Sequence, residues 1–298
     1  MKTFNPALFV DNATDWLRNY ATGAGQTGYV IGVSGGVDSA VASTLCARTG
    51  LPLLVIEMPI HQSEDQILRG RNHIEWLKKN YPNVSSIDVS LTAAFDSMSA
   101  AFEQGESQIA GGVPRELSDL GKANTRARWR MTTLYQFASA LRRLVCGTGN
   151  KVEDFGIGFY SKYGDGGIDL SPIGDITKTE VWEVAKELGV NQEIIDAKPT
   201  DGLWGDSRTD EDQIGASYPE LEWAMDYFET NVEPRGEGVV NSGINTIVAM
   251  VGKQTGDDRK KEVMRIYLTR NRANRHKMDP IPVFDASECR EPVHSTAN

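Results

Sequence analysis

The chain has 298 residues, a formal net charge of −10 and a pI near 5.0, with 40% hydrophobic and 24% charged residues. That balance supplies a sizeable core and excludes a phosphate-backbone binder as the main role, while leaving room for a local basic pocket. Three cysteines without CxxC spacing, no apolar run of membrane length and a charged N-terminus (Asp11, Asp15, Arg18) lead us to expect a cytoplasmic protein engaging neither nucleic acid nor membrane.

In chain order, residues 5–21 read as an amphipathic helix with Leu8, Phe9, Trp16 and Leu17 as its apolar members. Strand-like runs follow at Tyr29–Val33, Leu53–Met58, Ser86–Val89 and Leu144–Gly147. Helical patterns alternate with them. Leu91, Phe95, Met98 and Phe102 form one stripe, and Met131, Leu134, Tyr135 and Ala138 form another. Val181, Val184, Ala185 and Leu188 form a third, closed by Gly189 at a helix C′ position. Strand–helix alternation predicts an α/β fold: a doubly wound, mostly parallel sheet with helices on both faces. Residues 105–121 and 230–243, rich in Gly, Glu and Ser, read as surface insertions. With no Pro/Ser linker, we expect a single domain over 1–298. It would comprise a nucleotide-binding core (28–200), a helical C-terminal extension (210–285) and a tail (286–298).

Two Gly-rich stretches have opposite contexts. Gly23-Ala24-Gly25-Gln26-Thr27-Gly28 matches the text of a dinucleotide fingerprint, but it precedes a strand instead of following one, and reads as a connecting loop. Ser34-Gly35-Gly36-Val37-Asp38-Ser39 leaves the strand Tyr29–Val33 and opens a helix. A turn there aims free backbone N–H groups and the positive helix end beyond the strand. Glycines allow close approach of an anion, and Ser34 and Ser39 add hydroxyls. Most Ser-Gly-Gly runs are plain capped turns. Asp38 distinguishes this one, because a carboxylate in an anion cradle repels phosphate unless a divalent cation stands between them.

The run SGGVDS resembles the pyrophosphate-binding loop of the N-type ATP pyrophosphatases, whose fold is adenine nucleotide alpha hydrolase-like. Further stretches narrow the resemblance: NTRARWRM (124–131), GTGNKVE (147–153), KYGDGG (162–167) with Asp169, Pro199-Thr200-Asp201, and His276-Lys277. In this order, over about residues 5–285, the chain resembles the ammonia-dependent NAD synthetases. KYGDGG is the most specific element, since other members of the superfamily lack it.

The resemblance implies a ligase that uses ATP and Mg2+ to adenylate the nicotinate carboxylate of deamido-NAD. Ammonia then displaces AMP. It assigns ATP to Gly32, Val33, Ser34, Gly35, Gly36, Val37, Asp38, Ser39, Thr148, Lys178 and Thr200. It assigns deamido-NAD to Arg128, Lys162, Asp169, His276 and Lys277, and the metal to Asp38 and Glu153. Between Glu153 and Lys162 the chain is one residue longer than the commoner pattern, so Asp154 is an alternative metal ligand. Asp165 is the candidate for deprotonating ammonium. Residues 200–213 read as a loop closing over ATP, and the family implies a homodimer with deamido-NAD across the interface. On their own residues, Arg126, Arg128 and Arg130 suit a phosphate clamp or a solvated helix face equally. With Tyr29 already opening the nucleotide-binding strand, the expectation is a chain without an amidase domain, using free ammonia.

Overall fold

Short aliphatic and β-branched runs pair side by side in the computed structural model, which describes residues 3–200, 202 and 208–289. The strands are β1 (Tyr29–Gly32), β2 (Leu53–Glu57), β3 (Val84–Asp88) and β4 (Leu144–Val145). All pair in parallel, in the order β3-β2-β1-β4. Ile31 lies opposite Val55, and Val55 opposite Ser86. Beyond Val145 the edge continues only as a bridge between Cys146 and Leu170. The expected fourth strand is shortened there because the chain bends away to begin the site loop at Gly147.

Parallel strands are joined by crossovers, and here these are helices that cover both faces. The helices are α1 (Pro6–Gly23), α2 (Val37–Arg48), α3 (Glu64–Asn80), α4 (Thr92–Glu106), α5 (Arg115–Leu141) and α6 (Lys178–Glu187). After them come α7 (Gln192–Ile195), α8 (Asp210–Ile214), α9 (Tyr218–Asn231), α10 (Glu237–Val240), α11 (Ile244–Thr255) and α12 (Asp258–Met278). One face of the sheet packs Ile31 and Val55 against Leu17, Val41, Leu77 and Val181 of α1, α2, α3 and α6. The other packs Val30, Leu54 and Ile56 against Phe95 of α4 and Ala138 of α5. A third cluster, with Leu221, Ile247, Val251, Met264 and Leu268, unites α9, α11 and α12. Trp182 of α6 packs against both this cluster and the first.

Three local expectations are corrected. Helix α1 starts where the Asn5 side chain accepts from Leu8 N at 3.0 Å, with Pro6 at its first position. Its buried face is Val10, Ala13, Leu17 and Ala21, whereas Leu8 and Trp16 are exposed. The apolar run at its start misplaced the face by part of a turn. On α4, Leu91 at the N-cap and Phe95 are buried, while Met98 and Phe102 face outward. Residues 115–121 are not part of an insertion, because α5 begins at Arg115, directly after Pro114. Apart from buried Val232, residues 230–243 do lie on the surface, as the end of α9, a single 3-10 turn (Glu233–Arg235) and α10. Gly189 takes φ +70° after α6, as its C′ position requires.

Candidate active site

The sheet's carboxyl edge carries the site. Val33 still bonds to the sheet, donating to Ile56 O at 3.1 Å, before the chain turns through Ser34–Gly36 into α2. Gly35 takes φ +82°, and a Cβ there would lie 2.4 Å from Gln66 O of α3. A glycine is therefore required twice over, by backbone conformation and by the close approach of α3. Gly36 is the N-cap, and no side chain caps this helix. Ser34 and Asp38 are thus not caps. The Ser34 and Ser39 hydroxyls lie 3.1 Å apart, and Gly36 N donates to Ser34 Oγ at 3.3 Å.

Asp38 is held from two sides. Asn150 Nδ2 donates to its Oδ1 at 3.0 Å, and Lys178 Nζ donates to its Oδ2 at 2.6 Å. The same ammonium donates to Glu153 Oε1 at 3.0 Å, although Lys178 is only 2% exposed. Burial works against the charge on Lys178, but the Asp38 and Glu153 carboxylates outweigh it and hold its pKa above the ordinary value. Lys178 is presented at the first position of α6 by a capping box between Thr177 and Glu180. Asn150 is fully buried, and its Oδ1 accepts from the backbone N–H groups of Val152 and Glu153. One amide thereby orients both carboxylates.

Glu153 and Asp154 sit on a π-helical turn, Val152–Ile157. Such a turn spans one residue more between hydrogen-bonded partners than an α turn. The two carboxylates diverge. Glu153 shares Lys178 with Asp38, while Asp154 lies against Gly149, where a Cβ would meet its Oδ2 at 2.1 Å. Burial, followed by the charges of Glu153, Asp165 and Asp38, pushes the Asp154 carboxyl well above the usual carboxylate range. The Tyr218 hydroxyl lies 2.5 Å from Glu153 Oε1 and 2.9 Å from Asp210 Oδ2, and the Lys178 ammonium is 4.7 Å from its ring centroid.

These groups border a cavity of about 240 Å³. Gly32 to Ser39, Thr148, Glu153, Asp165, Lys178 and Thr200 all line it, joined by Gln62, Gln66 and Arg69 of the α3 side. Of the loop expected to close over ATP, residues 201 and 203–207 lie outside the described residues. Its base is tied where Asp210 N donates to Pro199 O at 3.0 Å.

A second group lies beside the first. Arg128 Nε donates to Lys162 O at 3.2 Å, and Lys162 Nζ donates to His276 O at 2.5 Å. Lys277 Nζ donates to Gly158 O at 2.9 Å and Tyr160 O at 2.8 Å. Arg128, Lys162, His276 and Lys277 are therefore brought together. His276 and Lys277 belong to the last turn of α12. Asp169 keeps different company, accepting from Tyr135 OH at 3.0 Å and Val145 N at 2.8 Å. Asp165 accepts from Ser161 N at 2.9 Å and lines the cavity. Burial lowers the Lys277 pKa, the Asp165 carboxylate opposes it, and Arg128 and Arg270 add to the lowering.

Asn150, Tyr218, Asp210, Gln66 and Arg69 were not singled out from the sequence. Asn150 lay inside a quoted motif. Tyr218 stands 65 residues from Glu153 with no local pattern to connect them.

Comparison with known proteins follows the same lines. The NAD synthase family model matches residues 9–260. An NH(3)-dependent NAD(+) synthetase of Carboxydothermus hydrogenoformans is 38% identical over 214 residues, covering 71% of this chain and 82% of that one. One of Methanosarcina mazei is 34% identical over 263 residues, covering 85% and 96%. Among solved structures, an NMN synthetase from Francisella tularensis has a TM-score of 0.74 at 28% identity, covering 95% of this chain and 100% of that one. An NH3-dependent NAD synthetase from Campylobacter jejuni has a TM-score of 0.68 at 21% identity, covering 95% and 100%, and shares the fold.

Proposed function

Because the chain belongs to the NAD synthase family, we propose that it is a ligase making NAD from deamido-NAD, ATP and ammonia. The observation that carries this reading is the buried Lys178 ammonium held between Asp38 and Glu153, set against a glycine turn that opens a helix without a side-chain cap. ATP lies with its β- and γ-phosphates on the turn 34–39. The nicotinate carboxylate of deamido-NAD attacks the α-phosphorus, pyrophosphate leaves, and ammonia displaces AMP from the acyl adenylate. The turn stabilises the departing pyrophosphate through positioned N–H groups and the Ser34 and Ser39 hydroxyls. Lys178 moves from its carboxylates toward the phosphates as charge develops there. Arg128, Lys162, His276 and Lys277 hold deamido-NAD, with Asp169 on its far side. Asp165, which lines the cavity, takes the proton from ammonium.

Asp38 and Glu153 would hold Mg2+, which supplies charge neutralisation on the polyphosphate. They fit that ion, being two hard carboxylates already gathered around one cation. Among the described residues no cluster of three or more His, Cys, Asp or Glu has metal-binding form, so phosphate and water oxygens would complete the shell. Exposed Met98, Phe102, Leu117 and Leu120 on α4 and α5 support a homodimer, checked by light scattering of the purified chain. Among the described residues no helix is long and apolar enough to cross a membrane, and we place the enzyme in the cytoplasm.

A second reading, amidation of nicotinate mononucleotide, is favoured by the higher TM-score and identity to the structure named NMN synthetase. One assay separates the two. Purified chain with ATP, Mg2+ and ammonium is offered deamido-NAD or nicotinate mononucleotide, and AMP is counted. We expect turnover of deamido-NAD, rising with pH at fixed total ammonium, and none with glutamine. Preferred turnover of the mononucleotide would replace this reading with the second.

A further inference from the structure

The cavity's cations are unequally committed. Lys178 is shared between Asp38 and Glu153, and Arg130 gives its Nε to Met58 O. Hydrogen bonds from Thr209 hold the Asp212 carboxyl below its usual range, and the charge of Lys198 adds a minor part. Arg69 is different. It is half-buried on α3, one helical position before Gly70, and forms no ion pair with a carboxylate among the described residues. Its Nε lies 3.5 Å from Gly35 O, a long contact, and its side chain lines the cavity with the turn.

The neighbouring glycines explain its reach. A Cβ on Gly70 would lie 3.5 Å from Gly35 N, and one on Gly35 would strike Gln66 O. Helix α3 therefore presses its backbone directly onto the phosphate turn, and the next side chain along, Arg69, arrives at the rim. The charge balance also asks for it. Two carboxylates and one ammonium leave the described centre net negative, and one divalent ion leaves it only singly positive. A leaving pyrophosphate carries more charge than that. A guanidinium fork is suited to two phosphate oxygens at once.

We propose that Arg69 is a catalytic residue that binds the β- and γ-phosphates of ATP and holds the departing pyrophosphate. The inference rests on reading this cavity as the ATP site. It separates the polyphosphate end, gripped from α3, from the adenosine end, which α3's arginine does not touch.

The test uses the full chain with Mg2+ and three probes: inorganic pyrophosphate, ATP and AMP. Their binding is measured by calorimetry for the wild type, Arg69→Gln and Arg69→Lys. In Arg69→Gln, pyrophosphate and ATP should each bind roughly ten- to a hundredfold more weakly, with AMP unchanged. Arg69→Lys should recover part of the loss through its charge alone. Thermal unfolding should be unaltered, since Arg69 has only the Gly35 O contact to lose. Unchanged pyrophosphate binding, or equal weakening of AMP, would overturn the proposal. Failure of the chain to amidate deamido-NAD would instead remove the substrate reading, and the pyrophosphate arm would still decide the role of Arg69.

Discussion

The phosphate turn and the Arg128–Lys277 group lie side by side but are built on opposite plans. At the turn, a buried ammonium meets half-buried carboxylates: Lys178 against Asp38 and Glu153, with Asn150 and Tyr218 completing the shell. In the second group, cations meet backbone carbonyl oxygens, and no carboxylate pairs with Arg128, Lys162 or Lys277 among the described residues. The first is a low-dielectric centre of mutually paired charges, one short of neutral, in which removing one member strands another. The second is a set of cations whose charge remains available for a ligand's phosphates and carboxylate.

The largest expected effect comes from unbalancing the first region. Asp38→Asn keeps shape and removes charge, and should lower adenylation by on the order of a thousandfold, read by pyrophosphate exchange into ATP. Near-normal exchange at saturating Mg2+ would contradict the metal role. Acid should reach this region next. His73 of α3 is fully buried, with Nε2 3.0 Å from Ser43 Oγ of α2, and burial lowers its pKa to about 4 from an ordinary 6.5. The unfolded chain then binds the extra proton between those values. Stability is complete above pH 6.5 and is lost as pH falls toward 4, by up to about 3 kcal/mol. Denaturant titrations of wild type and His73→Gln across that window should diverge, and parallel curves would remove His73 as the cause.

Smaller effects sharpen the second region. Arg128→Ala should raise KM for deamido-NAD roughly ten- to a hundredfold with KM for ATP little changed. Equal losses for both substrates would make Arg128 structural. Smallest of all, Lys162→Met should cost about 1 kcal/mol of stability or less, because a half-buried lysine there gives up one carbonyl bond and a contact with the Tyr163 ring. A loss of several kcal/mol would show that the cation was structurally committed after all.

Legibility in the sequence follows the same division. The turn was readable because a buried strand, two glycines and a carboxylate are contiguous, and the backbone itself makes the site. Asp38 and Lys178, 140 residues apart, were joined only through resemblance to a known family. Tyr218 and Arg69 left no trace, since their roles arise where α9 and α3 pack against the turn. The outward placement of Met98 and Phe102 escaped the periodicity for a related reason. A helical stripe reports which residues share a face, but not whether this chain alone covers it.

The π-helical turn at 152–157 has a mechanical consequence. Each added residue advances a helix by about 100° and 1.5 Å, so a surplus residue in an ordinary α turn would rotate everything beyond it. Here both ends are pinned, Glu153 by Lys178 and Lys162 by the end of α12. The widened turn sets the angular phase between these two clamps. Asp154, carried on the part that bulges, is the residue whose direction this adjustment sets.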